Sequence, residues 1–226
     1  MKNIPEEELS NILEAGSESI STEFKPAFDW NKKEDLYQKE RTIKAILALS
    51  NTKGGGYVVV GIKEGSKQLE IEGVETDKWS SPEQLEKIRS DIESFSYATV
   101  NVEIARGEAK SKKESLWVIV FGVREFTKTP IICKKDGQQD KSLKKFDIYC
   151  RTIRDGMVSS NKVTHDELEA IIEMATDKDR EEFSNRLEGL LGGSKIMREA
   201  TRQKGVEEKD EFSTFYAEQI KDMEEI

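Results

Sequence analysis

The spacing of hydrophobic residues along the first half of the chain predicts alternating helices and strands. Residues 5–15 carry a proline near the start and acidic residues in the first turn, which is typical of a short helix, and Gly16 is a natural stop. The alternating stretch ISTEF, residues 20–24, predicts a strand. Apolar residues then recur at helical spacing within residues 37–51, and the glycine-bounded run YVVVGI, residues 57–62, predicts a buried strand.

The second half of the chain predicts more strands and then becomes helical. Residues 69–74 predict a short strand, and residues 81–95 predict a helix with Ser81 as its N-cap. Four further strands are predicted at TVNVEIARGE, SLWVIVFGV, PIICKK and FDIYCRT. From Thr164 onward we predict two helices, at THDELEAIIEMA and REEFSNRLEGLLGG. This change of character predicts one domain over residues 1–175 and a helical acidic extension over residues 176–226.

The charge of the chain is unevenly distributed. Hydrophobic residues make up 35% and charged residues 36% of the 226 residues, and the net charge is −9. The segment from Arg106 to Arg154 nevertheless contains 13 Lys or Arg and 6 Asp or Glu, whereas the segment from Asp166 to the end contains 18 acidic and 9 basic residues. A basic middle and an acidic tail can bind different partners. A solvated surface with uneven charge is the alternative.

Neither a membrane protein nor an exported one is indicated by the sequence. The longest apolar run, Leu116–Phe121, is too short to span a bilayer, and the acidic N-terminus lacks the apolar core of a signal peptide. We therefore expect a cytoplasmic protein without a membrane partner. Cys133 and Cys150 are expected to be reduced and structural in that compartment.

The acidic C-terminal end carries an apolar stripe. Five apolar residues share one face of a predicted helix: Phe212, Phe215, Tyr216, Ile220 and Met223. A lone short helix of this kind is marginal in water unless it docks against something. We therefore expect residues 206–226 to bind a second copy of the chain or a helical partner, with folding back onto its own domain as the alternative.

Three glycines separate the predicted helix from the buried strand, within NTKGGG at residues 51–56. Glycine permits positive φ and lets another backbone or a ligand phosphate approach closely. The spacing matches neither a P-loop nor GxGxxG. Asn51, Thr52 and Lys53 are therefore candidate nucleic-acid contacts, and a tight structural turn is the alternative.

The available residue types limit the chemistry of any active site. His165 is the single histidine, and the two cysteines match no common zinc-ligand spacing, so histidine-assisted nucleophiles and zinc have little support. Carboxylates are plentiful. Acids that converge near a glycine loop and a lysine suit a hard cation such as Mg²⁺ or Mn²⁺, which can activate water and neutralise a phosphodiester. On so charged a chain, however, most acids simply face water.

Five stretches resemble, in this order, the Schlafen-type AlbA domain family: ESISTEFK, IKAILALSNTKGGGYVVVGIKE, IEGV, TPIICKKDG and IYCRTIRDGMVSS. The resemblance covers about residues 10–175, and the combination of ExxxxEFK with NTxGG is its most specific part. It implies an α+β fold with a mixed sheet flanked by helices, which the helical extension follows here. It also implies nucleic acid as the usual ligand and, in the eukaryotic Schlafen branch, metal-dependent endonucleolytic cleavage of RNA, tRNA-like molecules included.

The resemblance also implies roles for individual residues. The two motif glutamates are Glu18 and Glu23, and the motif lysine is Lys25. The third acid of the family site is an aspartate after a Gly-Val pair, and here the stretch GIKEG places Lys63 and Glu64 there. With Glu64 as the replacement, Glu18, Glu23 and Glu64 would hold one or two Mg²⁺ or Mn²⁺ ions, and Lys25 would stabilise the scissile phosphate. With Lys63 as the counterpart, the metal site would lack its third acid.

The basic segment supplies the remaining candidate residues. We expect the nucleic-acid backbone to follow Lys134, Lys135, Lys144, Lys145, Arg151 and Arg154. The leading interpretation is a nucleic-acid-binding domain with a metal-dependent endonuclease site, with RNA favoured over DNA. Two alternatives stay open: a non-catalytic DNA- or RNA-binding regulatory module, and an oligomerisation or adaptor protein that acts through its acidic helical tail.

Overall fold

The computed structural model describes residues 1–14, 17–65, 69–110 and 114–192, with side chains described up to residue 186. The chain divides into two units, Met1–Thr176 and Asp177–Ile226, and the second is described only as far as Gly192. The predicted apolar stripe within residues 206–226 lies outside the described residues, so its role in association stays a prediction.

Nine strands and five helices are seen in the described ranges. In chain order they are β1 (Lys2–Asn3), α1 (Glu6–Glu14), β2 (Thr22–Lys25), α2 (Leu36–Ser50), β3 (Gly56–Val60), β4 (Ile62–Glu64), β5 (Leu69–Ile71), α3 (Asp77–Ser80), α4 (Pro82–Glu93), β6 (Val102–Lys110), β7 (Ser115–Val123), β8 (Tyr149–Arg154), β9 (Met157–Lys162) and α5 (His165–Gly192).

A five-stranded mixed sheet forms the centre of the first unit. Its strand order is β1-β6-β7-β3-β2, with parallel pairing of β1 with β6 and of β2 with β3 and antiparallel pairing elsewhere. Two antiparallel hairpins, β4-β5 and β8-β9, lie outside this sheet. The predicted α+β fold with a mixed sheet and helices is therefore confirmed.

Both faces of the sheet are buried, and this explains the continuous apolar runs of β3 and β7. Val59 packs with Leu9 and Ile12 of α1 on one face. Its neighbours Val58 and Val60 pack on the other face, in the cluster that includes residues of α2 and α4. Because successive side chains of a strand point to opposite faces, a strand covered on both sides needs apolar residues at every position.

Two predicted elements differ from the structure. The stretch PIICKK makes only isolated β-bridges, Ser96 to Cys133 and Ile132 to Ile148, and not a strand. The two predicted C-terminal helices are one helix, α5, because no glycine or proline interrupts residues 165–188. The predicted start of this helix is confirmed, since the backbone N–H of Thr164 donates to the Glu167 carboxylate at 2.7 Å.

In the part of the chain that the structure describes, no helix has the length and apolar character needed to cross a bilayer. The cytoplasmic location stays a prediction.

Candidate functional site

Strand β2 places Glu23 and Lys25 on the same face of the sheet edge. Residues two apart on a strand share a face, so both side chains point away from Phe24, which packs on the α1 side. The Glu23 and Lys25 side chains are 6% and 3% exposed, and the Lys25 ammonium donates to Glu23 Oε1. The chain therefore buries an ion pair within one short strand.

Arg151 of β8 completes this buried charge network. Its side chain is fully buried, and Nη1 donates to Glu23 Oε2 at 2.6 Å. Its Nη2 donates to the carbonyl oxygens of Ser19 and Thr22 at 2.8 and 3.0 Å, and Ser160 Oγ of β9 donates to Glu23 Oε2 at 2.6 Å. One guanidinium thus fastens the β8-β9 hairpin to the start of β2.

Glu18 lies at the open side of the same network. Its Oε2 lies 3.5 Å from Arg151 Nη2, and its side chain is 18% exposed. Its backbone N–H donates to Glu64 Oε1 at 3.2 Å, and Glu64 itself is exposed. The structure therefore brings together Glu18, Glu23, Lys25 and Glu64, and it adds Arg151 as the residue that joins the two motif glutamates.

The two motif glutamates have opposite pKa shifts. Burial raises the pKa of Glu18 above its ordinary value, and the negative charge of Glu23 adds to this shift. For Glu23, burial is the largest single effect and also opposes ionisation. The charges of Lys25 and Arg151, with hydrogen bonds from Lys25 and Ser160, nevertheless hold the pKa of Glu23 below its ordinary value. Glu23 is therefore an ionised partner of two cations, and Glu18 takes up a proton more readily.

As it is placed, the carboxylate of Glu23 does not suit a divalent cation. Both oxygens of Glu23 are occupied by Lys25, Arg151 and Ser160, so a metal ion would have to displace a buried counter-charge. Among the described residues, no group of three or more His, Cys, Asp or Glu side chains is arranged to hold a metal. Mg²⁺ or Mn²⁺ at Glu18, Glu23 and Glu64 stays a prediction from the resemblance.

The glycine loop is shaped by the protein's own backbone. Asn51 is buried, and its amide bonds the N–H of Ile131 at 2.7 Å and the carbonyl oxygens of Ile131 and Tyr149 at 2.8 and 3.0 Å. At Gly55, where φ is +69°, an added Cβ would lie 2.1 Å from the Val123 carbonyl oxygen. The amide of Asn51 is thus used inside the molecule.

The other two loop candidates differ in exposure. Thr52 Oγ1 donates to the carbonyl of Ala48 at 2.8 Å and accepts from the Arg151 N–H at 3.1 Å. Lys53 is exposed. In this loop, Lys53 is therefore the candidate whose side chain is placed to reach a phosphate.

A buried carboxylate organises the loop that carries the lysines. Glu40 of α2 is 1% exposed and accepts hydrogen bonds from three consecutive backbone N–H groups, those of Gln138, Gln139 and Asp140, at 2.7 to 2.8 Å. Tyr149 Oη accepts from the N–H of Lys144 at 2.6 Å and donates to the carbonyl of Ser142 at 2.8 Å. The loop between residues 135 and 145 is therefore braced from inside.

This braced loop presents its cations to solvent. Four candidate residues are exposed: Lys134, Lys135, Lys144 and Lys145. Of the two candidate arginines, Arg151 is buried, and half-buried Arg154 bonds the carbonyl of Lys162 at 2.8 Å and Glu167 at 2.6 Å. The ammonium of Lys135 donates to Ser94 Oγ at 2.7 Å, so Lys134, Lys144 and Lys145 are the better placed to meet a ligand. The two arginines hold the hairpin and the start of α5.

Comparison with known protein families matches residues 18–164 to the family described as Schlafen, AlbA_2. The chain belongs to this family. Membership of the Schlafen AlbA_2 family indicates nucleic-acid binding. No curated protein matches the chain.

The solved structures that are similar to this Schlafen AlbA_2 chain include that of the DIP2311 protein from Corynebacterium diphtheriae. The similarity has 20% sequence identity and a TM-score of 0.39, and it covers 69% of this chain and 25% of that one. The chain therefore spans about a quarter of the length of DIP2311.

The sequence did not indicate Ser160 as a site residue, and it suggested that Arg151 is exposed, whereas the Arg151 side chain is buried. Arg151 lies in IYCRTIRDGMVSS, one of the stretches that resemble the family, but its charge suggested a surface contact. Its nearest charged partner, Glu23, lies 128 residues earlier in the chain. A pairing over that separation leaves no local pattern in the sequence.

Proposed function

We propose that this Schlafen AlbA_2 chain binds nucleic acid, RNA in preference to DNA, through the exposed lysines of residues 134–145. The observation that carries the proposal is the bracing of this loop by Glu40 and Tyr149 while its lysine side chains face solvent. A loop that is already ordered binds phosphates through its cations without the cost in conformational entropy of ordering the loop on binding. The preference for RNA rests on the resemblance to the Schlafen branch.

A charge-reversal experiment tests this proposal. Binding of a fluorescein-labelled 20-nucleotide RNA and of the matching DNA is measured by anisotropy between 50 and 200 mM salt. We expect Lys144→Glu/Lys145→Glu to weaken binding and to flatten the slope of log affinity against log salt by about 1 to 2, because each lost phosphate contact with a single strand removes about 0.7.

Lys32→Glu/Lys33→Glu is the matched control. Both residues are exposed neighbours and the charge change is the same, but they lie outside the basic segment. We expect this control to keep nearly all of the wild-type affinity and slope. Equal losses in the two variants would show a non-specific effect of net charge and would contradict the proposed surface.

Metal-dependent cleavage of RNA is the second candidate function. One observation favours it, namely that the carboxylate of Glu18 is partly exposed beside Glu23 and that its backbone bonds Glu64. The test is cleavage of single-stranded RNA and tRNA with Mn²⁺ or Mg²⁺, with and without EDTA, by the wild type and by Glu18→Gln. EDTA-sensitive cleavage that Glu18→Gln abolishes supports a nuclease, whereas binding without cleavage supports a regulatory module.

Association through residues 206–226 is a separate proposal. The apolar stripe in the sequence is its support, because such a stripe on an acidic helix needs a surface to cover it. Sedimentation of the full chain is compared with that of a chain ending at Gly193. We expect a dimer that becomes a monomer on truncation, and monomers in both cases would contradict the proposal.

A further inference from the structure

Two aromatic side chains lie side by side on the surface. Tyr97 is 51% exposed and Phe146 is 66% exposed. Their rings are nearly parallel, with an interplanar angle of 4° and centroids 5.9 Å apart. Because rings of this kind are normally buried in a core or an interface, an exposed parallel pair offers a flat apolar surface for another flat group.

A lysine lies over each of the two rings. The Lys134 ammonium is 6.0 Å from the centroid of Tyr97, and the Lys145 ammonium is 4.7 Å from that of Phe146. The surrounding residues 128–146 contain six lysines and two aspartates. A nucleic-acid strand alternates flat bases with phosphates, so a pair of exposed rings with a lysine ammonium close to each is complementary to it in both shape and charge.

Backbone hydrogen bonds hold both rings on one short segment. The N–H of Tyr97 donates to the carbonyl of Ile132 at 3.2 Å, and the N–H of Phe146 donates to the carbonyl of Cys133 at 2.7 Å. The two ring-bearing residues are therefore both hydrogen-bonded to one pair of adjacent residues, Ile132 and Cys133. The platform is formed before any ligand arrives, which lowers the entropy lost on binding.

Phe146 has a backbone conformation that phenylalanine seldom adopts. Its φ is +69°, in the left-handed region that favours glycine and asparagine. The strain is not offset by burial, because two thirds of the residue faces solvent. A strained backbone and an exposed ring at one position are both unfavourable for folding, which is the pattern expected of a residue kept for binding.

We infer that Tyr97 and Phe146 form a stacking platform for unpaired bases of single-stranded nucleic acid, with Lys134 and Lys145 binding the phosphates beside it. The inference rests on the proposed nucleic-acid binding and narrows it to strands whose bases are free. A duplex stacks its bases on one another, so it can present only its phosphates to this surface.

The test separates base stacking from charge. Anisotropy is measured with four fluorescein-labelled ligands: a 12-nucleotide oligouridylate, a 12-nucleotide oligothymidylate, an abasic 12-mer of the same charge, and a 12-base-pair DNA duplex. The variants are Tyr97→Leu, Phe146→Gly and the double variant that combines them. Glycine accepts the positive φ, so Phe146→Gly removes the ring without unfolding the chain, and a thermal melt verifies this.

Tyr37→Leu is the matched control. Tyr37 is 45% exposed and has the Arg41 guanidinium 5.7 Å from its ring centroid. It lies on α2, far along the chain from Tyr97 and Phe146. We expect this substitution to leave all four affinities unchanged. A fall in affinity equal to that of the platform variants would overturn the inference.

We expect each platform substitution to weaken binding of a base-bearing oligomer about fivefold or more, with an unchanged salt slope. Wild type should bind the abasic 12-mer as weakly as the double variant binds oligouridylate. A fall in the affinity of the platform variants for either oligouridylate or oligothymidylate supports the inference. If wild type binds base-bearing and abasic oligomers equally well, nucleic-acid binding stands and the platform is refuted. If wild type binds none of the four ligands, the proposed function fails, and the platform fails with it.

Discussion

Removing the charge of Glu23 should strongly destabilise the fold. Glu23→Gln leaves the buried cations Lys25 and Arg151 without their shared counter-charge. Glutamine can still accept from Arg151 or Ser160, but the remaining acceptor near the Lys25 ammonium is the carbonyl of Phe24, at 3.4 Å. Breaking a buried ion pair from one side costs about 3–5 kcal/mol. We therefore expect a loss of about that size in the free energy of unfolding.

Urea unfolding followed by tryptophan fluorescence measures this loss. Trp30 and Trp79 are each 1% exposed, so their emission reports on the core. The midpoint should fall while the m-value stays constant, because the surface exposed on unfolding is unchanged. Glu103→Gln is the control, since its partner Lys2 is 82% exposed, and a pair that faces solvent contributes little to stability.

A double substitution checks the cause. In Glu23→Gln/Lys25→Met the uncompensated ammonium is replaced by an apolar group of similar length, so part of the lost stability should return. A loss below about 1 kcal/mol in Glu23→Gln, or a double variant less stable than the single one, would refute the role assigned to this network.

Three further predictions concern the same framework. Asn51→Ala should lower the free energy of unfolding in urea by roughly 3 kcal/mol or more, because it leaves three buried backbone groups without their hydrogen-bond partner. Glu40→Ala should weaken RNA binding in the anisotropy assay without any change of surface charge, since the lysine loop loses its brace; equal affinity would contradict this. Because the pKa of Glu23 is lowered on folding, its contribution to stability is present above the ordinary carboxyl value of 4.5 and is lost as pH falls through the folded pKa. Urea midpoints between pH 7 and pH 3 should therefore fall less in Glu23→Gln than in wild type.

The sequence predicts those parts of the fold that depend on local pattern. Strands β3 and β7 follow from continuous apolar runs, because both faces of each strand are buried. The resemblance pairs Glu18 with Glu23. The two meet because the chain turns back between them at the β-bridge of Ser19 with Thr22, so both carboxylates face the same guanidinium. Strand β9 is not evident from the sequence, because MVSSNK has no apolar alternation and pairs with β8 across a turn at Asp155–Gly156.

The parts that the sequence does not reveal depend on long-range contacts. PIICKK has the composition of a strand, but it pairs with the rest of the chain only through two isolated β-bridges, to Ser96 and to Ile148. Burial of Arg151 depends on acceptors from the turn before β2. The positive φ of Phe146, and hence the exposure of its ring, has no signal in the residues KKFDI, where a strand is the local preference.

A photo-crosslinking map with RNA that contains 4-thiouridine tests directly whether nucleic acid binds at the exposed lysines and the aromatic pair. The complex is irradiated at a concentration that saturates binding, digested, and analysed by mass spectrometry. We expect crosslinked peptides that contain Tyr97 and residues 131–148, where the exposed lysines and the aromatic pair lie. Crosslinks confined to other surfaces, such as α1 or β1, with none in these two segments, would contradict this expectation.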